Sequence, residues 1–501
     1  MKINRRKFLG SAATTSMAFS VVPRHVLGGR NYVAPSDKLT IANIGCGTQG
    51  LRELGSLLKN PEIQVTSICD PNAYTTNYVD WSLNGIRNSI RKVLEDSSWG
   101  EGVDGIAGGR DVMKEYIEKY YAKNKPSGNY SGCNAYADFR ELLEKESDLD
   151  AVKIMTPDHL HATISLAAIK KGKHVAIHKP IANRVYESRL LVETAAKKNK
   201  VSTHLLAWTK RTGYDMALEW IKDGAIGNLK EIHNWSNRPV WPQWVTAPED
   251  TPAIPKGFDW DLWLGPVPDR PYSPKYTNAV FRGWYDFGAG SIADMGHYSL
   301  WPLFLTFGFN VKPISIEAYG TTTCDITNHV SHKVRNTVAF PHSCNIRFKF
   351  PKQEGWDPYD LFWYDGGMKP PNPEELAADN KVLPTEGMLF VGDKGKILGG
   401  YHCQKPRIIP EKKMNDYMGG NEIPKDTIES GEPIWIDAFK NGKQSPGSFP
   451  NADVISETIN LGAVALRAGR KIEYDAANMK VTNYDKANQF LTREYRPGWE
   501  L

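Results

Sequence analysis

The stretch from Lys38 to Asp70 restricts the fold more than any other part of this chain. Residues 38–44 read as a short β-rich strand that ends on Gly45. The strand runs into Gly45-Cys46-Gly47-Thr48-Gln49-Gly50, a G-x-G-x-x-G, and a helical pattern follows over residues 51–58. A second strand over residues 63–69 ends on Asp70, twenty residues after Gly50. Gly45 permits a tight turn, Gly47 lets the backbone approach a pyrophosphate, and Gly50 lets helix and strand pack closely. Thr48 and Gln49 lie in the same loop, at a helix N-terminus whose N–H groups face phosphate charge. Asp70 stands where a carboxylate accepts from both adenosine ribose hydroxyls, which favours NAD over NADP because it would repel a 2′-phosphate. Strand, loop, helix, strand and acid in register predict a dinucleotide-binding unit.

The alternation continues after an interruption. Residues 74–132 contain Trp81-Ser82-Leu83-Asn84-Gly85, a glycine-rich piece over 100–109 and a helical pattern over 110–121. They read as an insertion that covers the adenine end or serves oligomer contacts. A helix through Phe139 to Leu143, a strand over 151–155, a helix over 162–170 and a strand over 173–177 then resume the unit. This β-α-β-α-β order implies a parallel, doubly wound sheet whose strand C-termini gather the ligand. At 501 residues the chain is too long for one ordinary core. After a helix over 183–198, a strand over 201–208 and a helix over 214–221, strands are expected at 229–235, 314–319, 337–340, 344–350, 387–391 and 396–398. Their hairpin spacing suggests a largely antiparallel open sheet. The fold class is therefore α/β: an N-terminal Rossmann domain over 36–208 and a C-terminal substrate and oligomerisation domain over 209–501. A helix over 453–467 and a tail that wraps back over one domain complete the chain.

The first thirty residues form a separate segment. They hold six basic side chains and no acid, so a net charge of +5 for the whole chain becomes −1 for the rest. That near-neutral remainder offers no electrostatic footprint for nucleic acid. Arg5-Arg6-Lys7-Phe8-Leu9, followed by a mildly apolar stretch to Val22, resembles the twin-arginine export signal of bacteria. The resemblance implies export of the folded protein to the periplasm with its cofactor bound; without a functional signal the protein would stay cytoplasmic. No later stretch reaches eighteen uninterrupted apolar residues, so no membrane span is expected. None of the six cysteines forms a C-x-x-C pair, and Cys46 and Cys69 fall in segments read as buried.

The strand over 151–155 ends in Thr156-Pro157-Asp158-His159-Leu160-His161, and the strand over 173–177 ends in His178-Lys179-Pro180. With the glycine loop, these motifs resemble the glucose-fructose oxidoreductase/inositol dehydrogenase/MocA family over nearly the whole mature chain. The resemblance implies that Thr156, Pro157 and His161 pack against the nicotinamide ribose, so Asp158, His159 and His161 are not read as a metal site. It implies that Lys179 sits beside the nicotinamide and the reacting sugar carbon, as hydrogen-bond donor or proton shuttle, before an unusual peptide bond to Pro180. The family has Glu-Lys-Pro here. His178 in place of glutamate alters the local electrostatics, since a glutamate would hold the lysine protonated.

Residues 283–298, Gly-Trp-Tyr-Asp-Phe-Gly-Ala-Gly-Ser-Ile-Ala-Asp-Met-Gly-His-Tyr, resemble the family's glycine-rich lead into a helix bearing Asp-x-Gly-x-His. The resemblance implies that Asp294 and a base flank the hydroxyl being oxidised. Here the histidine, His297, comes three residues after Asp294, and the family's spacing of four falls on Tyr298. Both positions share a helix face with Asp294. An imidazole is poised near neutral pH, which favours His297, with Tyr298 as second choice. Residues 235–301 hold seven of the fifteen tryptophans, together with Asn237-Arg238-Pro239, and suggest a sugar-stacking surface.

The expected activity is hydride transfer from a hydroxyl of a sugar, glycoside or polyol to tightly held NAD, in a homo-oligomer with no nucleic-acid partner. The same residues would serve a glycosidase that oxidises C3 transiently, eliminates the aglycone and reduces again. A third reading is a non-catalytic dinucleotide-binding sensor or scaffold.

Overall fold

A computed structural model describes residues 37–123, 128–334 and 336–501. The twin-arginine segment lies outside the described residues. Six strands form the first sheet: β1 (Leu39–Ile44), β2 (Ile63–Cys69), β3 (Asn134–Tyr136), β4 (Ala151–Ile154), β5 (His174–Ile177) and β6 (Thr203–Leu205). Their order is β3-β2-β1-β4-β5-β6, every pairing is parallel, and the order reverses beside β1. That is the doubly wound arrangement, in which ligand binds outside the strand C-termini where the order reverses.

Both faces of the sheet are covered, which is why β1, β4 and β5 are almost continuously buried. On one face lies helix α1 (Thr48–Lys59), whose Leu51, Leu54, Leu57 and Leu58 share a core with Ile90, Met113, Tyr116 and Ile117. Those last four come from the insertion, in helices Gly85–Leu94 and Arg110–Lys123. On the other face lie α2 (His161–Lys170) and α3 (Val185–Lys197), in a core that continues into the second sheet.

The second sheet has nine strands: β7 (Leu229–Trp235), β8 (Ser315–Gly320), β9 (Cys344–Phe350), β10 (Tyr359–Tyr364), β11 (Gly387–Gly392), β12 (Lys396–Gly399), β13 (Arg407–Ile409), β14 (Ile472–Asp475) and β15 (Lys480–Val481). The order is β13-β12-β11-β7-β10-β9-β8-β14-β15, and all pairings are antiparallel except β7 with β10. Helices α4 (His297–Phe307) and α5 (Asp453–Ala468) pack on it through Leu300, Trp301, Phe304, Ile459 and Val464. The tail returns to the first domain, where Arg493 donates to Glu187 at 2.6 Å and Arg140 lies over the Trp499 ring.

Two sequence expectations need correction, and one strand is new. Residues 337–340 form no strand beyond one bridge between Trp284 and Ala339. The Asn336 carboxamide oxygen accepts from the Val338 and Ala339 N–H groups at 3.1 and 3.0 Å, a local turn that removes donors a ladder would use. The strand over 201–208 shortens to β6, and Thr209–Arg211 pairs instead with Ile428–Ser430. The central strand β10 was not anticipated, because Tyr-Asp-Leu-Phe-Trp-Tyr shows no clean alternation.

Candidate active site

The glycine loop takes the form its spacing requires. Gly45 has φ +102°, and a β-carbon there would sit 2.5 Å from the Met155 carbonyl carbon. A β-carbon on Gly50 would stand 2.3 Å from the Gly45 oxygen, so α1 could not start so close to β1. A cavity of about 310 Å³ opens in front of this loop, lined by Gly45, Gly47, Thr48, Gln49, Asp70, Thr156, Pro157 and His178 among others. The buried Asp70 carboxylate accepts from the Cys46 N–H at 2.6 Å and the Asn72 N–H at 2.8 Å. Burial outweighs those bonds and pushes its pKa up to about 6. Tyr78, from the insertion, lays its ring over Gly47 and lines the same cavity.

These residues fit a dinucleotide on structural grounds. The loop has no room for side chains where a pyrophosphate would lie, and Thr156 Oγ1 is buried in the cavity wall without a hydrogen-bond partner. Gly50, His161 and Lys179 stand behind the lining. His161 holds its ring between the carbonyls of Thr156, at 2.9 Å, and Pro180, which ties the T-P-D-x-x-H segment to the turn after β5. Burial lowers its pKa to about 4, although both carbonyls, as acceptors, favour the charged ring. The Lys179–Pro180 peptide bond is cis. His159 donates to the Trp263 carbonyl at 2.8 Å and packs between Trp263 and Phe287. Among the described residues no three His, Cys, Asp or Glu side chains gather to hold a metal ion.

At one end of the cavity the two domains meet through charge. Lys179 Nζ, at the end of β5, donates to Asp294, and both side chains are buried. Asp294 occupies a π-helical turn, Ile292–Gly296, just before α4. Arg282, which lines the cavity, donates through Nε to the same carboxylate oxygen at 3.1 Å, and Arg238 Nε lies 3.9 Å from the other oxygen. Burial alone would raise the Asp294 pKa. Three cations outweigh it and hold the carboxyl well below the usual carboxylate range. Burial disfavours the Lys179 ammonium, and Arg282 adds to that effect, so the Lys179 pKa is lowered despite Asp294. Asp158, whose carboxylate accepts from the Ala289 N–H at 3.2 Å, is pushed up to about 6 by burial.

His297 and Tyr298 face different surroundings. The His297 ring is fully buried, its Nδ1 donates to the Ala293 carbonyl at 3.2 Å, and its Nε2 has no partner. Burial lowers its pKa to about 3. The half-buried Tyr298 hydroxyl lies 2.9 Å from His178 Nε2, and Lys179 Nζ lies 5.0 Å from the Tyr298 ring centre. Burial lowers the His178 pKa well below that of a free imidazole and raises the Tyr298 pKa, so a neutral His178 accepts the phenol proton. Behind His178, 3.9 Å from Nε2, stands Glu53 of α1, which pairs with the buried Lys153 at 2.8 Å and accepts from Gln49 at 2.7 Å. Burial would raise Glu53, but Lys153 outweighs it and holds the carboxyl at about 2.

Arg282 and Glu53 were not singled out from sequence. Arg282 immediately precedes the glycine-rich motif, and Glu53 follows Gln49 by one helical turn, but neither position carries a signature without its partners. The seven tryptophans of residues 235–301 correct another expectation. Six are buried, and Trp260 stacks on Trp263 as Trp244 does on Trp284, with ring centres 5.0 and 5.2 Å apart. Trp260, Trp263 and Trp284 share one core with Trp244 packed against it, Trp235 and Trp301 belong to two others, and Trp263 also edges the cavity.

Comparison with known proteins agrees with the architecture. The Gfo/Idh/MocA oxidoreductase family model for the C-terminal alpha/beta domain matches residues 229–358 and 376–501, and the model for the NAD-binding Rossmann fold matches residues 115–205. Levoglucosan dehydrogenase of Pseudarthrobacter phenanthrenivorans is 34% identical over 116 residues, 22% of this chain and 29% of that protein. Glycosyl hydrolase family 109 protein 1 of a Shewanella species is 24% identical over 243 residues, 45% of this chain and 44% of that protein. The chain thus spans less than half the length of these curated relatives. The solved structure of the WlbA dehydrogenase from Bordetella pertussis, in complex with NADH and UDP-GlcNAcA, superposes with a TM-score of 0.50 at 13% identity, covering 87% of this chain and 99% of that one. A likeness at that identity is one of fold.

Proposed function

Because this chain belongs to the Gfo/Idh/MocA oxidoreductase family, with its NAD-binding Rossmann fold, we propose that it oxidises a hydroxyl of a sugar, glycoside or related polyol at the junction of its two sheets. The observation that carries the reading is the meeting of Lys179, just past the Rossmann strand β5, with Asp294 and Tyr298 of the other domain, behind the Arg282 and His178 that line the cavity. NAD, held along Gly45–Gly50, Asp70 and Thr156, supplies the hydride acceptor when bound. Asp70 favours it over NADP, since a 2′-phosphate would meet a buried carboxylate.

The chain's own residues handle the proton. Asp294 fixes Lys179, whose ammonium donates to the reacting oxygen and steadies the charge that develops there. Tyr298 takes the hydroxyl proton as its own passes to His178 Nε2, 2.9 Å away. This relay needs no free phenolate; burial and Lys179 oppose the imidazolium it forms, and the Glu53 carboxylate favours it. In this assignment Tyr298, at the family's spacing of four from Asp294, is the base, and His297 is a core residue.

The test is to purify the protein, identify its dinucleotide by mass spectrometry, and screen glycosides for reduction of the nicotinamide. NADP alone, or no reduction by any sugar or polyol, refutes the proposal. A second reading, transient oxidation in service of glycoside cleavage, is favoured by the longer match to the glycosyl hydrolase family 109 proteins. Release of free sugar without net reduced cofactor would distinguish it. Export through the twin-arginine route belongs to the same proposal: replacing Arg5 and Arg6 by lysine should strand a folded precursor in the cytoplasm, because that route reads the pair and not its charge. Unchanged periplasmic delivery would refute it.

A further inference from the structure

Of the fifteen tryptophans in this chain, thirteen are buried and Trp244 is half-buried. Trp81 alone is exposed, with 64% of its surface open to solvent. An exposed indole offers a flat apolar face on which a sugar or aryl ring can stack. Trp81 lies in the insertion, on a loop that is held at several points. The Asp80 carboxylate accepts from the Trp81 N–H at 2.7 Å and pairs with Arg52 of α1. Tyr78, three residues earlier, covers the glycine loop.

The indole is also oriented from the other domain. The Arg238 guanidinium lies 5.3 Å from the Trp81 ring centre, which occupies one face and leaves the other open. The same Arg238 carries an Nε with no hydrogen-bond partner, 3.9 Å from Asp294 Oδ2. One arginine head therefore separates the carboxylate of the reacting centre from the exposed indole. Val79 and Val240, each two residues along the chain from Trp81 and Arg238 respectively, are also exposed.

We propose that Trp81 and Arg238 form an outer subsite that binds the second ring of a glycoside, sugar or aryl, while the first ring reacts at Lys179, Asp294 and Tyr298. The inference rests on the oxidoreductase reading above and narrows its substrate to glycosides with a ring on the far side of the glycosidic bond. The apolar face of that ring stacks on the open side of the indole, and Arg238 donates to the oxygen that joins the rings.

Matched methyl and 4-nitrophenyl glycosides of glucose, galactose and N-acetylglucosamine, in both anomers, test this on the full-length holoprotein. Binding is read by titration calorimetry and oxidation by nicotinamide absorbance, with maltose and cellobiose separating sugar from aryl rings. For at least one pair the two-ring ligand should bind about tenfold more tightly than its methyl partner. Trp81→Ala should abolish that ratio and leave the methyl glycoside within about twofold. Trp81→Phe should keep most of it. The exposure of Trp81 leaves folding of both variants intact. Equal binding within every pair, or a ratio that survives Trp81→Ala, overturns the subsite. So does an altered oligomeric mass in Trp81→Ala with the ratio intact, which would assign the indole to a second copy of the chain. Oxidation of methyl glycosides with no Trp81 dependence removes the subsite and leaves the oxidoreductase reading. Trp81-dependent binding with no oxidation does the reverse.

Discussion

Replacing Tyr298 by phenylalanine removes one oxygen and leaves the ring that Lys179 faces. That oxygen stands 2.9 Å from His178 Nε2, so the change breaks the proposed relay at its first step. Loss of a positioned general base costs about 10²–10⁴ in rate, or about 2.7–5.5 kcal/mol of transition-state stabilisation. The cost to the fold should be small, about 1 kcal/mol for one hydrogen bond of a half-buried hydroxyl. His297→Ala should show the opposite pattern. It empties a fully buried ring site, which should cost about 2–4 kcal/mol of stability. The ring bonds only the Ala293 carbonyl, so turnover per folded, NAD-loaded molecule should stay within about twofold. The assay is single-turnover reduction of bound nicotinamide, normalised to NAD content by mass spectrometry, with melting temperature measured in parallel. Should His297→Ala abolish reduction at normal NAD content while Tyr298→Phe keeps it, the base is His297 and the relay is wrong.

Lys179→Met should lower turnover by about 10²–10⁴ while NAD stays bound, because the ammonium meets Asp294 at the reacting end of the cavity and not at the glycine loop; loss of the cofactor on gentle purification would instead make Lys179 a binding residue. Asp70→Ala should relax the preference for NAD over NADP, read as the ratio of the two dinucleotides retained by the purified variant, and an unchanged ratio would locate the discrimination elsewhere. Glu53 is held at about 2, below its ordinary 4.5, so its native ionisation stabilises the fold above about pH 4.5 and that contribution fades as pH falls toward 2. Melting temperature against pH should therefore fall less steeply for Glu53→Gln than for the natural chain over that window, and parallel curves would show that the ion pair with Lys153 contributes nothing.

The dinucleotide unit was legible in the sequence because its signals are local. Gly45 must adopt a positive φ and Gly50 must let α1 touch β1, and both needs act within a dozen residues of chain. The alternation of short apolar strands with helices likewise specifies a parallel sheet, since strands so separated can return only by crossover. Strand β10 was hidden because it is buried among neighbours and shows no alternation, and residues 337–340 misled because Asn336 takes up the N–H groups a strand would need. The choice between His297 and Tyr298 was open for a geometric reason. On a regular helix both share a face with Asp294, but the π-helical turn Ile292–Gly296 has more residues per turn and favours position four. The surroundings then separate the two residues: His297 bonds the turn before it, and Tyr298 meets a histidine just past β5, 120 residues away in the chain. Arg282, Glu53 and Trp81 show the same division. Residue type can be read anywhere along a chain, but whether a charge is paired, or an indole covered, depends on which distant segments the tertiary fold brings against it.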